Sequence, residues 1–277
     1  MRDNSKRVGS AADPAPQQSS TMSFATPTEL VDLPSKGKFY PVDHPLHGEE
    51  TIEVKFMTAR DEDILTSPSL LKKGVAIDRF IQNVIVDESI KVDSLLSGDK
   101  AAIMISSRIN GYGSEYKTRM TCPSCEKPSE TTFDLLGVGQ YHGDDYDTSV
   151  VAPTENGTFI VTAPVSKVDV EFRLMSSRDE NMLINKMKKA SEKSNAESTG
   201  FTDQLRSIVV SVNGDSSRLV INAFIEALTA YDSRFIRQVY SLMVPGPDMK
   251  QNFSCPACGF EKEVEIPMSA DFFWFKQ

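Results

Sequence analysis

Cys122-Pro-Ser-Cys125 and Cys255-Pro-Ala-Cys258 hold all 4 cysteines of the chain. Each Cys-x-x-Cys puts two thiols on one tight turn, where they can take two corners of a metal tetrahedron. Two such turns complete the four-thiolate set that Zn²⁺ favours. A zinc ribbon usually separates its pairs by roughly 15–20 residues. Here the pairs lie far apart in sequence, so the chain must fold back to unite them. Two copies of one unit explain that spacing most simply.

The flanking sequence supports a duplication. Ile52-Glu-Val-Lys-Phe-Met-Thr-Ala-Arg-Asp-Glu-Asp-Ile-Leu65 aligns without gaps on Val170-Glu-Phe-Arg-Leu-Met-Ser-Ser-Arg-Asp-Glu-Asn-Met-Leu183. Further on, Asp99 matches Asp232, Ile103 matches Ile236, Gly113 matches Gly246 and Lys117 matches Lys250. The same register carries Cys122 onto Cys255 and Cys125 onto Cys258. The second copy is the longer one, and the polar run Lys186–Gly200 is the expected insertion. Two copies are too few for a solenoid array.

The predicted metal ligands are therefore Cys122, Cys125, Cys255 and Cys258, holding one structural Zn²⁺ per chain. A reactive dithiol is the competing reading. Thioredoxin-like motifs carry proline just before the second cysteine, whereas here it follows the first, and no β-α-β pattern surrounds either pair. A site closed by four cysteines leaves no coordination position for a substrate.

A chain of 277 residues can bury a substantial core. Its net charge of -9 argues against phosphate backbones and anionic membrane surfaces as partners. No apolar run approaches the roughly 20 residues that span a bilayer. The opening Met-Arg-Asp-Asn-Ser-Lys-Arg lacks the apolar segment of a signal peptide. In a reducing cytoplasm, four cysteines read as metal ligands more readily than as disulfides.

The expected fold class is α+β: two tandem repeats of strand, helices and strand-knuckle-strand, joined by a shared, zinc-ribbon-like four-cysteine site. Residues 1–27, rich in Ser, Ala, Pro and Gln, read as a disordered arm. The first repeat covers 28–136, a Gly- and Asp-rich linker 137–156, the second repeat 157–268 and an aromatic tail 269–277. Gly157-Thr-Phe-Ile160 loosely echoes the Ser35–Pro41 turn. Ile52, Val54 and Phe56 alternate with polar residues, as do Val168, Val170, Phe172 and Leu174, which predicts half-buried strands. Thr58-Ala-Arg-Asp61 and Ser176-Ser-Arg-Asp179 predict helix starts with Asp in place of Glu in a capping box. Helices are expected over Val75–Val86, Asp99–Ile109, 202–212, 217–229 and 232–243. β-like arms are expected on both sides of each knuckle.

The remaining motifs carry little chemistry. The doubled Arg-Asp-Glu (60–62 and 178–180) reads as a charged first helical turn, with carboxylates at the positive end of the dipole. His44 and His47 flank Pro45-Leu46 in a loop, and with His142 they read as loop histidines. Ser35-Lys-Gly-Lys38 lacks the full phosphate-loop pattern. Phe272, Phe273, Trp274 and Phe275 either dock on the chain's own core or anchor a partner, since aromatics dominate interface hot spots. No catalytic residues emerge.

Leu33-Pro-Ser-Lys-Gly-Lys-Phe-Tyr-Pro41 with His44-Pro-Leu46 resembles the start of the T-even-type phage baseplate hub proteins. So do Met57-Thr-Ala-Arg-Asp-Glu-Asp-Ile-Leu65, Ser69-Leu-Leu-Lys-Lys-Gly-Val-Ala-Ile-Asp78 and Asp271-Phe-Phe-Trp274. The resemblance covers roughly residues 28–275 and is most specific in the first hundred. It implies a non-enzymatic component or assembly factor of the hub that binds other tail proteins. Such a protein acts in the host cytoplasm during assembly, or in the virion tail. The competing classes are a zinc-ribbon adaptor for a cytoplasmic enzyme or nucleic acid, which the acidic balance disfavours, and a dithiol oxidoreductase.

Overall fold

The computed structural model describes residues 26–191, 200–268 and 272–273. The expected arm lies almost wholly outside them, as do most of the polar run Lys186–Gly200 and both Trp274 and Phe275. The first half of the chain holds β1 (Thr28–Asp32), β2 (Thr51–Lys55), α1 (Ala59–Thr66), α2 (Pro68–Lys73), α3 (Ala76–Val84), α4 (Ser97–Tyr112), β3 (Glu115–Thr121) and β4 (Pro128–Asp134). Between the halves stand β5 (Gly139–Tyr141) and β6 (Val151–Pro153). The second half holds β7 (Thr158–Thr162), β8 (Asp169–Arg173), α5 (Ser177–Ser191), α6 (Gly200–Ile208), β9 (Val209–Val212), α7 (Arg218–Ala227), α8 (Ala230–Ser241), β10 (Gly246–Asp248), β11 (Lys250–Ser254) and β12 (Glu261–Glu265). The fold class is mixed α+β.

Alternation makes the strands. Ile52 and Val54 of β2 point inward, as do Val170 and Phe172 of β8. β1 and β2 pair antiparallel from Thr28 opposite Lys55 to Asp32 opposite Thr51. β7 and β8 pair in the corresponding register, from Thr158 opposite Arg173 to Thr162 opposite Asp169. Gly157–Ile160 therefore stands against 27–30, and the expected echo of Ser35–Pro41 was misplaced. The register of the paired strands decides this alignment, over a weak likeness of residue types.

The helix starts follow the capping chemistry. The N–H and Oγ1 of Thr58 both donate to Asp61 Oδ2, at 2.9 and 2.6 Å. Ser176 repeats this onto Asp179 Oδ2, at 2.9 and 2.7 Å. Each cap is worth about 1 kcal/mol, and both carboxylates are buried. Gly74 and Gly113 stop α2 and α4 in left-handed or extended positive-φ geometry.

Three expectations change. Residues 209–212 form β9 beside β8, not the end of a helix. Val209-Val-Ser-Val212 is rich in branched side chains, which crowd a helix and suit a pleated surface. The second half also differs from the first in two places: most of the polar run Lys186–Gly200 falls between α5 and α6, and α7 stands where the first half crosses from Ile85 to Leu96 with only a short 3-10 turn at Val92–Ser94. Finally, 137–156 is more than a connector: β5 pairs with β10, and β6 pairs with β7.

One continuous buried cluster draws on both halves, including Val54, Phe80, Ile103 and Tyr116 with Phe172, Ile208 and Ile236. Each fully buried aromatic or aliphatic side chain contributes about 1.5–3 kcal/mol. Backbone also meets backbone between the halves. A Cβ on Gly98 in α4 would lie 1.9 Å from the Pro245 carbonyl oxygen, so only glycine permits this approach. Among the described residues no helix is long and apolar enough to cross a membrane.

Candidate metal centre

Two hairpins bring the knuckles together. β3 and β4 pair from Glu115 opposite Asp134 to Thr121 opposite Pro128. β11 and β12 pair from Lys250 opposite Glu265 to Ser254 opposite Glu261. In the first knuckle Cys122 N–H donates to the Lys127 carbonyl at 3.0 Å, and Glu126 N–H to the Cys122 carbonyl at 2.9 Å. In the second, Cys255 N–H donates to Phe260 at 2.8 Å and Gly259 N–H to Cys255 at 2.9 Å. Glu126 and Gly259 hold the same turn position with φ of 58° and 69°. Glycine adopts this freely, whereas it costs Glu126 about 1–2 kcal/mol.

The four sulfurs converge within 4.8 Å of one another. Cys122 Sγ lies 3.8 Å from Cys258 Sγ, and Cys125 Sγ lies 3.8 Å from Cys255 Sγ. A disulfide requires about 2.05 Å, so these are free thiols. With Zn–S bonds of about 2.3 Å, the edge of a regular ZnS₄ tetrahedron is about 3.8 Å. The site therefore fits zinc in donor type, donor number and spacing. Cys122 and Cys255 are buried beside Phe253, with Met120, Phe260 and Val264 packed around them, while Cys258 faces solvent.

Electrostatics point the same way. Burial pushes the Cys255 thiol up, but the N–H groups of Ala257 and Cys258 and the thiols of Cys122 and Cys258 bring it down to about 7. The Phe260 N–H draws Cys258 down, yet burial and its three thiol neighbours drive it up to about 12. Sulfurs this close cannot all ionise unless a cation offsets their repulsion. A bound divalent metal would supply that charge and cross-link the two hairpins. All four positions would be filled by protein, leaving none for a substrate.

The other candidates are structural. His44 lies stacked on Tyr40 and contacts Ser94 Oγ at 2.9 Å, and His47 Nδ1 contacts the Tyr40 carbonyl at 2.7 Å. His142 Nδ1 contacts the Pro34 carbonyl at 2.9 Å. The cysteines are the only metal-competent group among the described residues. Asp61, besides capping α1, accepts from Asn83 at 2.6 Å, and Asp179, besides capping α5, accepts from Arg173 at 2.6 and 2.9 Å, so the two aspartates of the doubled Arg-Asp-Glu are structural. Phe272 and Phe273 are buried at 2% and 3% exposure. Phe272 meets Tyr116 edge-on at 5.1 Å, Phe273 meets Phe80 at 5.3 Å, and Arg108 Nε donates to the Phe272 carbonyl at 3.0 Å. Those two rings thus belong to the chain's own core and offer a partner no surface. A hydrophobic string alone could not separate docking from anchoring.

Sequence reasoning aligned Asp99 with Asp232 but assigned them no task. Both are fully buried, and each binds the turn that follows the first strand of its half. A carboxylate repeated at the third position of two helices was the available signal.

No curated protein and no solved structure matches the chain. The family described as T4 bacteriophage base plate protein matches residues 26–274. With nearly its whole length matched, the chain belongs to the T4 bacteriophage base plate protein family.

Proposed function

We propose that this baseplate protein is a non-enzymatic component or assembly factor of the tail hub, acting by binding other tail proteins. The family match carries this reading. One structural Zn²⁺ on Cys122, Cys125, Cys255 and Cys258 cross-links two tandem copies of one unit, 28–136 and 157–268. The cross-pairs Cys122–Cys258 and Cys125–Cys255 exchange under the duplication, as expected for a pseudo-twofold axis through the metal. The matched strand registers, caps and knuckle hydrogen bonds support the same arrangement.

Zinc in a closed tetrahedral site supplies folding energy, on the order of 10 kcal/mol of apparent binding energy. The product is a stiff scaffold for surface recognition. The test is infection by phage lacking this protein. Infected cells should accumulate tails without complete baseplates, and the full chain supplied in trans should restore them. Normal tails and normal infectivity without the protein would refute the reading.

A further inference from the structure

The two sheet edges that match in register are used differently. On β7 the outer edge is taken by β6, with Val151 opposite Val161 and Pro153 opposite Phe159. The matching edge of β1 has no strand beside it among the described residues. Phe56 N–H donates to the Pro27 carbonyl, and Leu33 N–H to Glu50. Antiparallel alternation then turns the N–H and C=O groups of Thr28 and Leu30 away from β2, toward the open side. Beside this edge runs a groove of about 490 Å³, floored by Val31, Ile105, Ile109, Leu135 and Val138, with Glu29 and Asp32 on its β1 side.

The turn by which β6 closes β7 cannot form in front of β1. β6 returns through a turn in which Gly157 N–H donates to Thr154 and Gly157 has φ of 70°. Pro27 stands at the matching position. Proline holds φ near −65° and has no N–H, so that turn cannot form there. Among the described residues, the second half covers its edge in cis and the first half leaves the equivalent edge without a strand.

We infer that the β1 edge and the β1–α4 groove accept an extended segment of another baseplate protein, which adds as a strand to β1. This inference rests on the baseplate reading above. Main-chain hydrogen bonds to Thr28 and Leu30 supply affinity, and alternate side chains entering the groove supply specificity. The segment carries apolar residues at alternate positions for the groove floor. It is neutral or basic, because Asp32 and the Glu29 carboxylate, which Ser106 and Asn110 of α4 hold against the groove wall, would repel an acidic one.

The test places a photo-crosslinking benzoylphenylalanine at Thr28 in the full chain during phage infection, with a second at Ile160 on the covered β7 edge as control. The expected result is an adduct at Thr28 with an extended segment of another tail protein, and none at Ile160. Adding Leu30→Pro should abolish the adduct, because it removes an outward donor and leaves the β1–β2 bonds in place. Should that variant fail to fold, hydrogen exchange on the wild-type protein decides. The Leu30 amide should exchange quickly in the free chain and slowly in the assembly, and equal rates would overturn the inference. An adduct with residues 1–25 of the same chain, or with a second copy, would also overturn it. So would the lack of any Thr28 adduct while tail proteins still co-purify. If no tail protein associates at all, the baseplate reading itself falls, and this inference with it.

Discussion

Asp99 and Asp232 hold the same place at the start of α4 and α8, and each clamps the turn that follows the first strand of its half. Asp99 accepts from Ser35 N–H at 3.0 Å, Ser35 Oγ at 2.6 Å and Tyr40 Oη at 2.7 Å. Asp232 accepts from Val165 N–H at 2.8 Å and Ser166 N–H at 3.0 Å. Both side chains are fully buried. The clamps join each helix leading toward a knuckle to the sheet of its own half.

The two clamps should respond differently to the same change. In Asp99→Asn the new amide faces the hydroxyls of Ser35 and Tyr40, which already accept from Gly37 and Leu96 N–H but can rotate their own protons away and accept a second bond, while Ser35 N–H keeps its oxygen. In Asp232→Asn both acceptor sites face backbone N–H groups, which cannot reverse. One donor then loses its partner in a buried site, at a cost of about 1–3 kcal/mol. Denaturant unfolding should show Asp232→Asn as the more damaging substitution. Equal losses would contradict the assigned bonding.

The pH responses of Asp99 and the helix-capping Asp179 should also oppose. Burial raises the Asp99 pKa, outweighing its bonds from Ser35 and Tyr40. The folded state then holds this proton more tightly than the unfolded chain, whose value is about 3.9. The resulting stability is fully present below about 3.9 and is lost as pH rises through the folded value. For Asp179, burial acts upward, but Arg173 and Ser176 outweigh it and the pKa falls. Its contribution is present above about 3.9 and is lost as pH falls through the lower folded value. The stability difference between wild type and Asp99→Asn should therefore shrink as pH rises from 4. That for Asp179→Asn should grow as pH rises through the acid range to 4. Comparing each variant with wild type at the same pH removes the common effect of acid on the thiols.

Phe272→Ala should destabilise the fold as well as any complex. The ring packs between Tyr116 and Phe273, and its carbonyl holds the Arg108 guanidinium. Removing a buried phenylalanine costs about 3–5 kcal/mol, less where a chain end can shift to fill the space. Thermal unfolding of the isolated protein should detect the loss. An unchanged midpoint would return Phe272 to the surface.

Much of this structure was visible in local chemistry. Thr58 with Asp61 and Ser176 with Asp179 announced their helices, because a cap is a four-residue event. The knuckles announced four thiols that could meet at one point, because two Cys-x-x-Cys turns keep their local shape in any fold. Long-range events were hidden. Nothing near Asp99 shows that Ser35, 64 positions earlier, is its partner. Ile208-Val-Val-Ser-Val212 continued an apolar run, and its branched side chains read as a strand only once the neighbouring β8 is there to pair with them. Pro27 and Gly157 look unrelated until the strand registers set them in equivalent positions.

In the proposed arrangement one zinc joins the two halves through four thiolates. Native mass spectrometry of protein purified without chelator tests it directly, since mass reports both bound metal and disulfides. The expected spectrum shows one Zn²⁺ per chain and no disulfide mass loss, with zinc lost in both Cys122→Ser and Cys255→Ser. Metal-free protein, a disulfide-linked chain, or zinc retained in full by either variant would contradict it.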